Sequence, residues 1–293
     1  MSIQYGTEAG VFVLYLAMLL TKLFTATFFI ISTATLLGQT NDVEKYLLRA
    51  DSLIGANDTT AIKVLIEVER SFPNELKRSE YRIFHTKLKG DFYAWVAEDY
   101  QMGVKSYRPL VSSSTDKLDS LSLDRLAKGL NDMGILYQRM GISDSAILLH
   151  RRSIQTYQRI KSQQGLAYNY NNLAVIYRDQ GKMDSTMYFF EKSRAAAEAI
   201  KDTLGVGYNY LNLAIGATNQ EQLGKAIDYY NRALDIFQQG NYEKQAASTR
   251  YRMSSFYYRL GEYETALMLL RKALQFYERQ QSKRALQGIY LQV

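Results

Sequence analysis

The chain of 293 residues has no cysteine, only two prolines, two histidines and a single tryptophan. Without cysteine there is no disulfide framework and no cysteine–metal site, and the redox compartment is left open. With two prolines, little interrupts long helices. The sequence carries no phosphate-binding loop, no zinc-binding helix motif and no nucleophile elbow. Its carboxylates are scattered at the spacing of helix surfaces. The sequence therefore reads as a non-enzyme, with no catalytic residues, no metal and no cofactor. His85 has no second histidine nearby in sequence.

What the chain has is a period of 40 residues. Met133, Leu173, Leu213, Met253 and Val293 are all apolar, and the next residue is small at Gly134, Ala174, Ala214 and Ser254. Four after each anchor come Tyr137, Tyr177, Ala217 and Tyr257, and thirteen after come Ala146, Thr186, Ala226 and Ala266. A fixed period with a fixed inner pattern predicts stacked units, each burying its apolar face on the next.

Within each period apolar residues recur at three and four, the mark of amphipathic helices. Gly165–Gln180 is one such run, Gly181 ends it, and a second spans Asp184–Ile200. Gly141, Gly181 and Gly261 share one phase, where a tight turn is expected, with Glu221 at the fourth place. Ser143, Asp184 and Glu262 follow as polar helix-starting residues. Gly134, Ala174, Ala146, Ala226 and Ala266 permit close helix approach. Tyr137, Tyr177, Phe190, Tyr230 and Leu270 fill the remaining space. His150 falls at the phase of Phe190, Tyr230 and Leu270 and reads as a packed residue.

Leu213, Ala214, Ala217, Ala226 and Tyr230, with Met253, Ser254, Tyr257, Ala266 and Leu270, resemble the tetratricopeptide repeat. The usual repeat is about 34 residues. Here the inner spacings hold, and the extra length is expected in the second helix and the turn after it. The resemblance implies an all-α solenoid of antiparallel helix pairs. The longer form looks like repeats of kinesin light chains and of extracytoplasmic segments of bacterial signalling proteins. Residues 126–293 are read as four repeats and the start of a fifth helix pair, 79–125 as a degenerate repeat, and 39–78 as capping helices. Thr60–Phe72 reads as an unpaired second helix, and residues 111–120 as a polar connection. A half-repeat at Leu286–Val293 would expose an apolar face, so the protein is expected to continue.

In this family the first helices line the concave groove. Asp132, Asn172, Asn212 and Arg252 precede the anchors by one, and Asn131, Asn171, Leu211 and Tyr251 by two. Stacked asparagines there resemble a ladder that holds a peptide backbone, since an amide donates and accepts at once. The peptide-binding candidates are Asn131, Asn171, Asn172, Asn212, Arg252 and Tyr251, flanked by Tyr168, Tyr208, Arg178 and Tyr258. The alternative is that asparagine simply tolerates an exposed helix face. A lysine-rich carboxylate clamp is not matched, because Ile135, Val175 and Ile215 stand where polar groups would be needed.

The net charge is +7, and Arg250–Arg284 holds eight basic residues against three acids. That excess fits an acidic partner, or a solvated outer face. The aromatics fall at helix-core phase rather than as a base-stacking platform, so no nucleic acid is expected.

Gly10–Gly38 is almost wholly apolar, with Lys22 its only charge. Read from Met18, it has the basic start and apolar stretch of a secretory signal peptide, with cleavage near Gly38. Read whole, residues 10–37 would tether the chain to a membrane. Residues 1–38 are therefore a leader or an anchor, and either places the repeats outside the cytoplasm, exported or periplasmic. The sequence supports a module that binds a peptide or protein segment in its groove, as sensor or scaffold of a bacterial envelope signalling protein. The alternative is a structural scaffold of an envelope complex without a defined ligand.

Overall fold

A computed structural model describes residues 42–280. The leader or anchor and the Leu286–Val293 half-repeat lie outside the described residues. The described chain holds twelve α-helices, a 3-10 turn at Glu75–Lys77 and a π-helical turn at Phe92–Val96, and no strand occurs among those residues. They are α1 Asp42–Gly55, α2 Ala61–Ser71, α3 Ser79–Asp91, α4 Tyr100–Val111, α5 Ser120–Arg139 and α6 Ser143–Arg159. Then follow α7 Gln163–Asp179, α8 Met183–Ala199, α9 Thr203–Asn219, α10 Leu223–Gln239, α11 Glu243–Arg259 and α12 Tyr263–Arg279. Consecutive helices pack as six hairpins, and each hairpin stacks on the next.

The anchors are where the periodic pattern demands burial. Leu173, Leu213, Ala174 and Ala214 have no exposed surface, nor do Ala226 and Phe190. One continuous core runs from Ala127 to Leu269, and separate clusters fill the first hairpins. His150 is fully buried and lies against Gly134, where a Cβ would sit 2.9 Å from its ring. Only a glycine permits that approach.

Several local expectations change. From α7 onward both helices of each pair have 17 residues, so the added length is shared between the halves. Two turns in each period therefore use the same joint. A left-handed residue falls at Gly141, Lys161, Gly181, Lys201, Glu221, Asn241 and Gly261, every 20 residues. The sequence signalled the three glycines and, by phase alone, Glu221.

Helix starts differ too. Ser143 and Asp184 lie inside the first turns of α6 and α8, and Glu262 makes no side-chain cap. Side-chain caps belong instead to α4, α5, α7 and α9, through Asp99, Asp119, Ser162 and Asp202. Each accepts an otherwise unpaired backbone N–H.

The Thr60–Phe72 segment is not unpaired: α1 packs on α2 through Val43, Leu47 and Ala50. Pro109 lies in the last turn of α4. The following connection is pinned, since Arg152 donates to the carbonyls of Val111 and Ser113, and Arg159 to Thr115.

Candidate functional site

The first helices α5, α7, α9 and α11 present equivalent positions 40 residues apart. Asp132, Asn172 and Asn212 are partly buried, and Arg252 is exposed at the far end. Asn172 donates from Nδ2 to Oδ1 of Asn131 in the preceding repeat, at 3.0 Å. Asn131 in turn donates to Oδ1 of Asp132, at 3.0 Å. The amides of two repeats thus form one hydrogen-bonded line, and part of their donor capacity is already used.

The other candidates are placed unevenly. Tyr168 is 57% exposed and free to contact a ligand. Tyr208, 43% exposed, packs within its own hairpin and reaches the next: its ring lies edge-on to Phe237 at 5.5 Å, and its hydroxyl accepts from Gln245 of the following hairpin at 3.1 Å. Arg178 turns along its own helix to Asp179, at 3.1 Å. Tyr258, 65% exposed, packs edge-on with Tyr263 at 5.5 Å. Asn171 and Tyr251 are partly buried. Tyr251 also lines an apolar cavity of about 600 Å³ with Tyr258, Tyr263 and Leu267 at the end of the described stack.

A polar group that the sequence reading did not assemble underlies the Asp132 end. Lys87 Nζ donates to Asp91 Oδ2, and the Tyr107 hydroxyl donates to Asp91 Oδ1, each at 2.5 Å. Burial pushes the Asp91 carboxyl up, against the pull of Lys87. Burial opposes the charge of Lys87, yet Asp91 outweighs it and raises the ammonium. Tyr107 is raised well above its usual range by burial and by Asp91. Asp132 is pushed up to about 7, chiefly by burial and then by the charge of Asp91. The i,i+4 spacing of Lys87 and Asp91 was a visible signal, but nothing in sequence ties Tyr107 or Asp132 to them.

Of the two histidines, His85 bonds the Leu65 carbonyl at 3.3 Å. Burial depresses it, against the raising effect of Glu69. His150 contacts Asn169 in the core. Among the described residues no group of acids, histidines or cysteines could hold a metal ion.

Such a stack of equal hairpins with one polar face is a helical-repeat scaffold for contact with other proteins. Residues 165–239 and 246–279 match two family models of the tetratricopeptide repeat. Among solved structures the fold is similar to BtubC from P. vanneervenii, with 17% identity and a TM-score of 0.62, covering 83% of this chain and 94% of that one. It is also similar to a signal transduction ATPase with a tetratricopeptide repeat sensor from Pyrococcus horikoshii. There the identity is 14% and the TM-score 0.71, over 86% of this chain and 39% of that one. A Rap protein complexed with competence and sporulation factor matches at 13% identity and a TM-score of 0.57, over 85% of this chain and 80% of that one. No curated protein matches the chain in sequence.

Proposed function

We propose that the first-helix face binds an extended peptide or protein segment, and that the chain acts as the sensor or scaffold part of a signalling protein. The observation that carries this is the bond from Asn172 to Asn131 across repeats, which makes successive amides one polar line. A peptide backbone offers a donor and an acceptor at each residue, and amides match both. Support for the signalling role comes from the neighbours, one a signal transduction ATPase with a tetratricopeptide repeat sensor and one complexed with competence and sporulation factor. An exported or membrane-tethered location rests on the sequence of residues 10–38 alone. Among the described residues no helix is long and apolar enough to cross a membrane.

The test is photo-crosslinking of the full chain in its native host. A crosslinking residue at Tyr168 should capture a partner, and one at Leu148 on the second-helix face should not. Replacing Asn172 and Asn212 by Ala should weaken that partner by about 0.5–1.5 kcal/mol per hydrogen bond lost. Unchanged affinity would move the interface to the outer surface around Arg271 and Lys272.

A further inference from the structure

The row that bears the amides has opposite charges at its two ends. It reads Asp132, Asn172, Asn212, Arg252, one residue per repeat. The charge at the first end lacks a counter-ion. Lys87 is committed to Asp91, and Lys128 is bound to Asp124 at 2.8 Å. Asp132 accepts only from the neutral amide of Asn131. Around it, α3 contributes Lys87 and Asp91, α4 Tyr107, α5 Lys128 and α6 Tyr157, while Asp51 of α1 faces Lys87 and Asp91, and Asp124 of α5 faces Tyr157. Asp91 and Asp132 thus share the neighbourhood of one ammonium. A carboxylate partly withdrawn from water without a cation is costly, and a cation supplied from outside removes that cost.

At the other end the sign reverses. Arg252 is exposed, and no acid lies within ion-pair distance of it among the described residues. Arg259 stands two turns further on the same helix. A guanidinium there is free to take a carboxylate by paired hydrogen bonds.

We propose that the groove selects a bipolar segment, with a primary amine or guanidinium seated against Asp132 and a carboxylate against Arg252. This deepens the groove reading and rests on it. Successive first helices are packed less closely than the two helices of a hairpin, which lie about 8–10 Å apart, so three steps along the row span at least about 30 Å. An extended chain covers 3.3–3.6 Å per residue, which makes the segment about nine residues long. Asn172 and Asn212 then meet its backbone between the two charged ends.

The probes are end-capped, fluorescein-labelled nonapeptides with mixed Ser, Gly, Tyr and Leu at the seven inner positions. One set has Lys at one end and Glu at the other, one has Lys at both, one Glu at both, and one Gln at both. Anisotropy titrations use the full chain at low salt. The Lys/Glu set should bind about tenfold more tightly than any other. Arg252→Glu, at an exposed site, should switch the preference to the Lys/Lys set. Asp132→Asn, with its helix content checked by circular dichroism, should erase the advantage of Lys. Calorimetry at pH 7 in two buffers of different ionisation heat should show proton release with the wild type and none with Asp132→Asn. Equal binding of the charged sets, with no switch in Arg252→Glu, overturns the bipolar reading and leaves the groove. No saturable binding by any set overturns the groove reading together with it.

Discussion

His150 Nδ1 lies 3.2 Å from Asn169 Oδ1, a buried contact between α6 and α7. The same two positions one repeat later are Phe190 and Asn209. Both asparagines donate from Nδ2 to the carbonyl four residues back, Gly165 or Gly205, at 2.9 Å. Phenylalanine offers no donor, so Asn209 Oδ1 is buried without a partner. One repeat further, Thr249 makes the equivalent back-bond to Gln245 and leaves no side-chain atom unpaired.

Asn209→Thr should therefore be neutral or stabilising by up to about 1 kcal/mol, since it removes an unsatisfied buried acceptor. Asn169→Thr should cost about 1–2 kcal/mol, because His150 then loses its partner. Urea unfolding of both variants checks the order. Equal effects would mean that the His150 contact contributes nothing.

Acidification separates two groups of opposite sign, the buried His150 and the partly buried Asp132. Burial depresses His150 to about 4 from its usual 6.5, with Asn169 opposing. The unfolded chain takes up that proton below 6.5, while the folded protein resists until about 4. Stability from this residue is present above 6.5 and falls as pH drops toward 4, by about 3 kcal/mol at most. Asp132 is raised, so its contribution runs the other way and is lost as pH rises from about 4 to about 7. His150→Phe should flatten the acid side of the stability curve, and Asp132→Asn the side toward neutrality. Denaturant midpoints from pH 4 to 8 test both slopes.

The repeat anchors were legible because stacking makes the same demand at each turn. Leu213 and Ala214 occupy a position whose neighbours are alike in every hairpin. The joints were half legible: glycine marks Gly141, Gly181 and Gly261, phase marks Glu221, and asparagine suits the left-handed backbone at Asn241, but Lys161 and Lys201 adopt it with no special residue type. Helix α1 lies outside the periodic frame, so its burial on α2 had no register to announce it. Asp91, Tyr107 and Asp132 come from three helices, and only tertiary packing shows that they interact. Arg178 reads as a groove residue by position, yet its local pairing with Asp179 depends on a rotamer.

The left-handed joints make a prediction about single residues. Glu221 has φ 57° at the place where the other hairpin turns carry glycine. Glu221→Gly should stabilise by about 0.5–1 kcal/mol, the cost of a side chain in that conformation less the added freedom of the unfolded chain. Gly181→Ala, at φ 71°, should destabilise by about 1 kcal/mol. Thermal melts that move in the same direction for both would refute the joint reading.

Core register has a direct test in Leu213 and Ala226, both fully buried. Leu213→Ala should cost about 2–5 kcal/mol through the cavity it leaves. Ala226→Leu should cost about 1–3 kcal/mol through overpacking. If neither moves the unfolding midpoint, the hairpins are packed in another register.

The evenly spaced joints also fix the unit in which such a chain can be edited. Removal of 40 residues joins a first helix to a first helix, and every inward row keeps its face. Removal of 20 would join like to unlike, turning ladder positions outward and core positions toward the groove. The array can therefore lengthen or shorten its groove only in whole hairpins. The separation between the Asp132 and Arg252 ends then changes in steps of one repeat.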